Sequence, residues 1–308
     1  MREKIAQLRN VLNEIIRGKE EVIDLLLIAL AAEGSVLLHD VPGVGKTTLA
    51  KALAGSLNAS FRRIQFTPDL LPTDIIGSAV YNPKDGELRF RKGPIFANIV
   101  LADEINRASP RTQSALLEAM SERQVSADGE TYYLPSPFMV LATENPVEYQ
   151  GTYSLPEAQL DRFAVQLILG YPAEQAELKL LLDRLHNDPA KQLHPILSCS
   201  EIVQLQSQVR AVRMDPSIAE YILRLITATR REPRISLGGS PRAGLTLSRC
   251  AQAAAFLENR DFVLADDIKK LAVPVLAHRL ILQNQAKYAG ATGASIVQEL
   301  LKTLAVPR

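Results

Sequence analysis

Two glycines, a lysine and a threonine lie close together in the sequence, at Gly43, Gly45, Lys46 and Thr47. Glycine backbone can turn its amides toward an anion, a lysine ammonium binds phosphate oxygens, and a threonine hydroxyl is a ligand for Mg²⁺. The apolar run Val36 to Leu38 precedes these residues as a short strand, and a helical pattern follows them. The N-terminus of such a helix adds positive charge. The spacing predicts a loop that binds the phosphates of a nucleoside triphosphate.

The usual pattern of this loop is a glycine, four other residues and then Gly-Lys-Thr or Gly-Lys-Ser. Asp40 stands where the pattern has its first glycine. We expect this substitution to be tolerated, because Gly43 and Gly45 form the part of the loop that curls around phosphate. The residues expected to bind ATP here are Pro42, Gly43, Val44, Gly45, Lys46, Thr47 and Thr48.

A second apolar strand, Ile99 to Ala102, ends at two carboxylates, Asp103 and Glu104. Open α/β sheets bind ligands at the carboxyl ends of their strands. We therefore expect Asp103 and Thr47 to hold Mg²⁺, and Glu104 to orient and polarise the water that attacks the γ-phosphate. Alone, such an acidic pair is only a solvated strand end. After a phosphate loop, it predicts ATP hydrolysis.

Strand and helix patterns alternate through residues 1–170, as in a parallel sheet covered by helices. The apolar runs predict five strands, at Val36 to Leu38, Phe61 to Gln65, Ile99 to Ala102, Phe138 to Ala142 and Ala164 to Leu169. The helical patterns between them cover Ile5 to Glu14, Glu20 to Ala32, Thr47 to Leu57 and Pro110 to Glu122. The fold class is therefore α/β, with a nucleotide-binding αβα domain at residues 1–170.

Strand patterns stop after Tyr171 and Pro172, and helical periodicity replaces them. The predicted helices are Ala173 to Leu185, Cys199 to Val212, Ser217 to Arg231, Pro241 to Asn259 and Ala265 to Arg279. A chain of 308 residues also exceeds the usual size of one domain. We predict a smaller, all-α domain at residues 171–308.

Two Asp-Gly pairs, Asp85-Gly86 and Asp128-Gly129, lie between residues with strand propensity. Such pairs favour the tight turns of β-hairpins. The surrounding segments, Ala79 to Phe90 and Gln124 to Leu134, therefore predict two hairpins inserted into the α/β pattern. From the residues alone, both can be surface hairpins without a special role.

Composition favours protein partners over nucleic acid or membranes. The chain has 35 Lys and Arg against 34 Asp and Glu, a net charge of +1, so it offers no bulk attraction to polyanions. Its most apolar run, Leu25 to Ala32, is far shorter than the roughly 20 residues of a membrane span. The two distant cysteines, Cys199 and Cys250, fit a reducing compartment. We expect a cytoplasmic protein.

Four blocks together resemble the MoxR family of AAA+ ATPases. In order they are the phosphate loop, Leu-Ala-Asp-Glu-Ile-Asn-Arg-Ala from Leu101, Ala-Thr-Glu-Asn-Pro from Ala142, and Leu-Pro-Glu-Ala-Gln-Leu-Asp-Arg-Phe from Leu155. The resemblance spans residues near 5 to 280. It implies an AAA+ αβα domain, a helical lid domain and Mg²⁺-dependent hydrolysis of ATP.

The resemblance also implies roles for single residues. Asn145 matches sensor 1, which contacts the γ-phosphate or the attacking water, and Arg162 matches the arginine finger, which reaches the nucleotide of a neighbouring subunit. Arg242 matches sensor 2, which couples the lid to the γ-phosphate. Ile16 and Gly18 match the segment that packs on adenine. From the residues alone, Asn145 can be a turn-forming residue before Pro146, and Arg162 can form an ordinary surface ion pair with Asp161.

At the level of function, the resemblance implies a homo-oligomeric ring, a hexamer, that remodels or matures protein complexes. Such maturation includes metal or cofactor insertion, beside proteins with von Willebrand factor A domains. The two hairpins then become candidate substrate-gripping loops of a central pore, with Tyr81 and Phe90 as the side chains involved. Three alternatives share the nucleotide site: a nucleotide-gated binding module with slow hydrolysis, a magnesium-chelatase-like motor, and a nucleic-acid motor.

Overall fold

A parallel sheet of five strands forms the centre of the first domain. The computed structural model describes residues 1–84, 86–127, 129–144, 152–175, 177–178 and 193–307. The five strands are β1 (Val36–His39), β2 (Phe61–Gln65), β5 (Ile99–Asp103), β8 (Met139–Glu144) and β9 (Val165–Leu167). They lie in the order β2-β5-β8-β1-β9, and every pairing is parallel. The prediction of a five-stranded parallel sheet is confirmed.

Apolar residues on both faces of these strands explain why the sequence shows continuous apolar runs. On β1, Val36 and Leu38 belong to one buried cluster, and Leu37 belongs to the cluster on the opposite face. On β5, Leu101 and Val100 are divided in the same way. Parallel strands with both faces covered read as uninterrupted hydrophobic segments. The sheet is thus the middle layer of an αβα sandwich.

Six helices of the first domain lie close to their predicted positions or add short turns. They are α1 (Arg2–Ile15), α2 (Glu20–Ala31), α3 (Lys46–Ser56), α4 (Pro72–Ile76), α5 (Pro110–Glu122) and α6 (Glu157–Leu160). Helix α5 begins as expected, because Pro110 occupies its first turn and the Ser109 hydroxyl accepts a hydrogen bond from the Thr112 amide at 3.4 Å.

The two inserted hairpins are present and contact each other. Strands β3 (Gly77–Asn82) and β4 (Glu87–Lys92) form the first, and β6 (Gln124–Ala127) and β7 (Glu130–Tyr133) form the second. The Phe90 ring stacks on the Tyr132 ring with centroids 4.3 Å apart, and it packs edge-to-face with the Phe96 ring at a centroid distance of 6.1 Å. Phe90 therefore joins the hairpins to each other. The aspartates of both turns, Asp85 and Asp128, lie outside the described residues.

The second domain is the predicted helical lid, with a short two-stranded sheet added to it. Its described helices are α7 (Cys199–Arg210), α8 (Pro216–Arg231), α9 (Pro241–Leu257), α10 (Ala265–Leu276), α11 (Asn284–Tyr288) and α12 (Gly293–Thr303). Strands β10 (Ile235–Leu237) and β11 (Ile281–Leu282) pair antiparallel. The predicted helix from Ala173 to Leu185 falls largely outside the described residues.

The lid packs on the helices of the first domain. One buried hydrophobic cluster contains residues of α1 to α3 together with residues of α7 to α10. The Gln206 side-chain amide of α7 also donates to the backbone carbonyl of Leu30 at the end of α2, at 2.8 Å. The boundary near residue 171 stays a prediction. None of the described helices combines the length and the hydrophobicity that a membrane-spanning segment needs.

Candidate active site

The phosphate loop joins β1 to α3 at the carboxyl edge of the sheet. Gly43 and Gly45 have φ angles of +85° and +97°, which side chains with a Cβ rarely adopt. Gly45 caps α3, and Lys46 begins it, so the free amides of the first helical turn face the loop. Apart from its chain neighbours, a Cβ placed on Gly43 would meet no atom of the described residues within 4 Å. Backbone conformation, rather than crowding, therefore demands glycine at Gly43.

Asp40 has a structural role that its place in the pattern did not reveal. Asp40 is only 4% exposed, and its carboxylate accepts hydrogen bonds from the backbone amides of Leu169 and, at 2.9 Å, Gly170. Its carbonyl accepts from the Lys46 ammonium at 2.8 Å. Asp40 thus fastens the start of the loop to the chain that leaves β9.

We expect Asp40→Gly to destabilise the protein, although it restores the usual loop pattern. The substitution removes two hydrogen bonds to a charged acceptor and leaves two amides without it, which costs about 2 to 3 kcal/mol. Urea unfolding, followed by circular dichroism, measures the free energy of unfolding. Asp40→Asn keeps one acceptor oxygen and should lose less. Equal stability of the Asp40→Gly variant and the parent protein would contradict this role.

Asp103 is held from two neighbouring strands at the same edge. One carboxylate oxygen accepts from Arg63 of β2, from Nε at 3.0 Å and from Nη2 at 2.6 Å. The other accepts from the Thr143 hydroxyl of β8 at 2.6 Å. The same hydroxyl accepts from the Glu104 amide at 2.8 Å. Thr143 therefore fixes both acidic residues relative to β8.

Glu104 has an unusual backbone conformation and two side-chain partners. Its φ of 57° lies in the left-handed region, which costs a residue other than glycine free energy and is common at functional sites. One carboxylate oxygen accepts from the Gln65 amide at 2.8 Å and from the Arg107 guanidinium at 3.0 Å. These partners set the direction of the carboxylate.

Lys46 connects the loop electrostatically to the acidic pair. Burial lowers the pKa of Lys46, and the carboxylates of Asp40, Asp103 and Glu104 oppose that change. The sites predicted at the ends of β1 and β5 are therefore one site. Its donor set, the Thr47 hydroxyl and the Asp103 carboxylate, suits Mg²⁺, which takes few protein ligands and keeps phosphates and waters as the others.

Of the remaining predicted contacts, some lie beside the loop and one lies outside the described residues. The Ile16 side chain is buried, and its Cδ1 is 3.8 Å from where a Cβ on Gly45 would stand. Gly18 has a φ of 69°, and Lys19 next to it donates to the carbonyl of Tyr171 at 2.9 Å. Asn145 is not among the described residues.

Arg162 and Arg242 lie together, but far from the phosphate loop of their own chain. Both line a cavity of about 360 Å³ whose wall includes Ser35. Ser35 precedes β1 and Asp40 follows it, so roughly 16 Å of strand separates the cavity from the loop. One chain therefore presents its phosphate loop at one edge of the sheet and these two arginines at the other.

Other charged residues complete this cavity, which we call the arginine pocket. Glu33 pairs with Arg123 at 2.6 Å and with Arg210, and these arginines lower the pKa of Glu33 against the effect of its burial. Arg249 also lines the pocket. It follows Arg242 by seven residues on α9, which places both on one helix face.

Several of these residues could not be identified from the sequence. Thr143 lies two residues before Asn145, in the Ala-Thr-Glu-Asn-Pro block that begins at Ala142. Arg63 and Gln65 stand on either side of Ile64 in the sequence, and this alternation of polar and apolar residues indicates a strand with a polar face. The partners of Arg63 and Gln65 could not be predicted from it, because a local sequence pattern does not give the order of the strands in the sheet.

Family comparisons support this description. Residues 35–165 match the family described as "ATPase family associated with various cellular activities (AAA)". Residues 227–300 match the AAA lid domain. The solved structure of a Cytophaga hutchinsonii protein, described as a candidate ATPase, superposes with a TM-score of 0.93 at 39% identity, over 100% of this chain and 96% of that one.

The similarity to known relatives extends over nearly the whole chain. The Bacillus subtilis protein YeaC, called uncharacterized, is 51% identical over 96% of this chain and 92% of its own. Chaperone MoxR1 of Mycobacterium tuberculosis is 39% identical over 96% of this chain and 80% of its own. Protein MoxR of Methylorubrum extorquens is 32% identical over 92% and 89%. With its phosphate loop, acidic pair and lid, the chain is an ATPase that belongs to the MoxR family of AAA+ proteins.

Proposed function

We propose that the chain forms a ring in which each phosphate loop binds Mg²⁺-ATP. Arg162 and Arg242 of the next subunit complete each of these active sites. The placement of both arginines in one pocket, at the sheet edge opposite the loop, carries this proposal. A head-to-tail contact would bring the pocket of one chain to the loop of its neighbour. Head-to-tail contacts form a ring when the rotation from each subunit to the next brings the last subunit back to the first.

Each side chain then has a defined task. Lys46 and the loop amides bind the β- and γ-phosphates, and Thr47 and Asp103 would hold the metal. When bound, Mg²⁺ neutralises charge on the phosphates. Glu104 orients the water and accepts its proton. Its Gln65 and Arg107 contacts use one carboxylate oxygen, which leaves the other for that water. Asn145 is proposed as sensor 1, with the role of contacting the γ-phosphate or the attacking water.

We further propose a hexamer in the cytoplasm whose clients are proteins. The relative named Chaperone MoxR1 supports a chaperone-like activity. Maturation of protein complexes, including metal or cofactor insertion beside a von Willebrand factor A domain protein, is the specific form that the family resemblance suggests. The free thiols of Cys199 and Cys250 fit a reducing compartment.

The hairpins supply the proposed client contacts, with one change of residue. Phe90 is occupied by its stacking on Tyr132 and positions the hairpins instead. Tyr81 and Leu88 are cross-strand partners near the tip, 61% and 71% exposed, and Tyr133 of the second hairpin is 75% exposed. These three side chains are the proposed client-binding group.

Mixing two inactive variants tests the shared active site. Arg162→Ala subunits keep a complete loop site, and Glu104→Gln subunits keep the arginine pocket. In a mixed ring, the pocket of the second variant completes the loop site of the first. We expect ATP turnover per Arg162→Ala subunit to rise at least about tenfold on mixing, since an arginine finger contributes roughly 10³-fold or more.

The same measurement includes its control. Glu104→Gln mixed with Lys46→Ala, which damages the same site, should show no rise. If the Arg162→Ala mixture shows none either, although an affinity tag on one variant co-purifies the other in mixed rings, each subunit hydrolyses ATP alone and the proposal fails.

A further inference from the structure

Asp161 connects the chain segment that carries Arg162 to the segment that carries Arg242. It directly precedes Arg162 and, as the structure shows, is not the surface partner of that arginine. Its two carboxylate oxygens accept from the Ser240 hydroxyl at 3.0 and 2.9 Å. Ser240 stands two residues before Arg242. One carboxylate thus reaches from the arginine-finger segment to the start of α9.

The Ser240 hydroxyl does two things at once. While its proton points to Asp161, its oxygen accepts from the Ala243 amide at 3.1 Å and so caps α9. Arg242 lies in the capped first turn. The position of that turn, and with it the direction in which Arg242 leaves the helix, is therefore tied to Asp161.

Arg279 holds the other side of the finger segment. It is 5% exposed, its Nη2 donates to the carbonyl of Phe163, and its Nε is 3.6 Å from the Asp161 carboxylate. His278 also lies 3.3 Å from that carbonyl through Nε2. Arg279, a buried cation of the lid, therefore contacts both residues that flank Arg162 in the sequence, Asp161 and Phe163.

The loop before Ser240 is itself fixed, so the connection is stiff. The Gly239 carbonyl accepts from Arg230 Nε at 2.8 Å, and its amide donates to the Thr229 hydroxyl at 2.9 Å. At Gly238, an added Cβ would come within 2.7 Å of the Arg230 backbone. Movement of α9 therefore has to move Asp161, or break its bonds to Ser240.

From these contacts we infer that Asp161, Ser240 and Arg279 are positioning residues that present Arg162 and Arg242 as one unit to the neighbouring nucleotide. A change of lid position would then withdraw both arginines together. The inference rests on the proposed shared active site, and names the link through which the lid controls it.

Ser240→Ala is the test variant, because it cuts the link while leaving Asp161 as the counter-charge of buried Arg279. Ser198→Ala is the matched control, since Ser198 caps α7 through its own hydroxyl, as Ser240 caps α9. We expect at least a fivefold loss of ATP turnover with Ser240→Ala, less than a twofold loss with Ser198→Ala, and recovery with Ser240→Thr, which keeps the hydroxyl.

Mixed rings separate a positioning defect from general damage. With Glu104→Gln, Ser240→Ala subunits should recover turnover, because they receive intact arginines from their neighbours. With Arg162→Ala, they should not, because neither variant offers a competent pocket. The reverse pattern would place the defect in the subunit's own loop site, and no recovery in either mixture would indicate a damaged chain. Either result overturns the inference.

The proposed function can fail separately. If Arg162→Ala with Glu104→Gln shows no recovery, the shared active site itself is wrong. If that pair recovers and Ser240→Ala behaves like Ser198→Ala, only the positioning role is wrong.

Discussion

Glu104→Gln should lower steady-state ATP turnover by at least about 10²-fold, the usual loss when a positioned base is removed. The amide has the shape of the carboxylate and can still accept from Arg107, but it cannot take a proton from the attacking water. Phosphate release measures turnover. Affinity for a fluorescent ATP analogue should stay unchanged, because Glu104 lies beyond the amides and the lysine that bind the phosphates.

The control for this variant is Glu118→Gln, on the exposed side of α5, which should leave turnover unchanged. Equal and negligible rates for the parent protein and the Glu104 variant would contradict the motor, and would favour the nucleotide-gated binding module. With ATP bound and hydrolysis blocked, Glu104→Gln is also the bait for client capture. Lys46→Ala, which should not hold ATP, is the matched bait that shows which captured proteins depend on nucleotide.

Arg162→Ala should lower turnover by about 10³-fold or more, the range known for arginine fingers. The guanidinium lies in the arginine pocket, roughly 16 Å of strand away from its own loop. ATP affinity of the isolated subunit should therefore stay the same while the turnover of the assembled protein falls. Comparison of nucleotide titration with phosphate release, over a range of protein concentrations, separates the two quantities.

Arg213→Ala is the matched control for the loss of one lid-proximal arginine. Arg213 is a 75% exposed side chain that pairs loosely with Asp261 at 3.6 Å, outside the arginine pocket. It should change turnover by less than about twofold, as expected for an exposed pair. If Arg162→Ala matches this control, the residue has no role in hydrolysis.

The main elements could be predicted because their signals are local. Strands β1 and β5 are buried on both faces and read as apolar runs, and α5 carries both a cap at Ser109 and Pro110. The hairpins follow from two Asp-Gly pairs. The phosphate loop and the acidic pair each occupy one short segment at a strand end, so their chemistry was also local.

What could not be predicted depends on sheet order and on distant contacts. Asp40 is explained by Leu169 and Gly170, which approach it only because β9 lies beside β1. Arg63 reaches Asp103 only because β2 lies beside β5. Strands β10 and β11 have three and two residues, too few to show a period. Helix α12 has 11 residues with glycine at its start, which weakens its helical signal.

The arginine pocket has a consequence for how subunits find each other. Within its described wall, five guanidinium groups face one carboxylate, that of Glu33, on a chain whose net charge is only +1. Like charges this close repel one another, and salt screens them over about 8 Å at physiological ionic strength. A free subunit therefore carries an unfavourable concentration of charge that a neighbour's triphosphate would relieve. In the proposed ring, bound nucleotide would therefore hold neighbouring chains together, and its hydrolysis would weaken that contact.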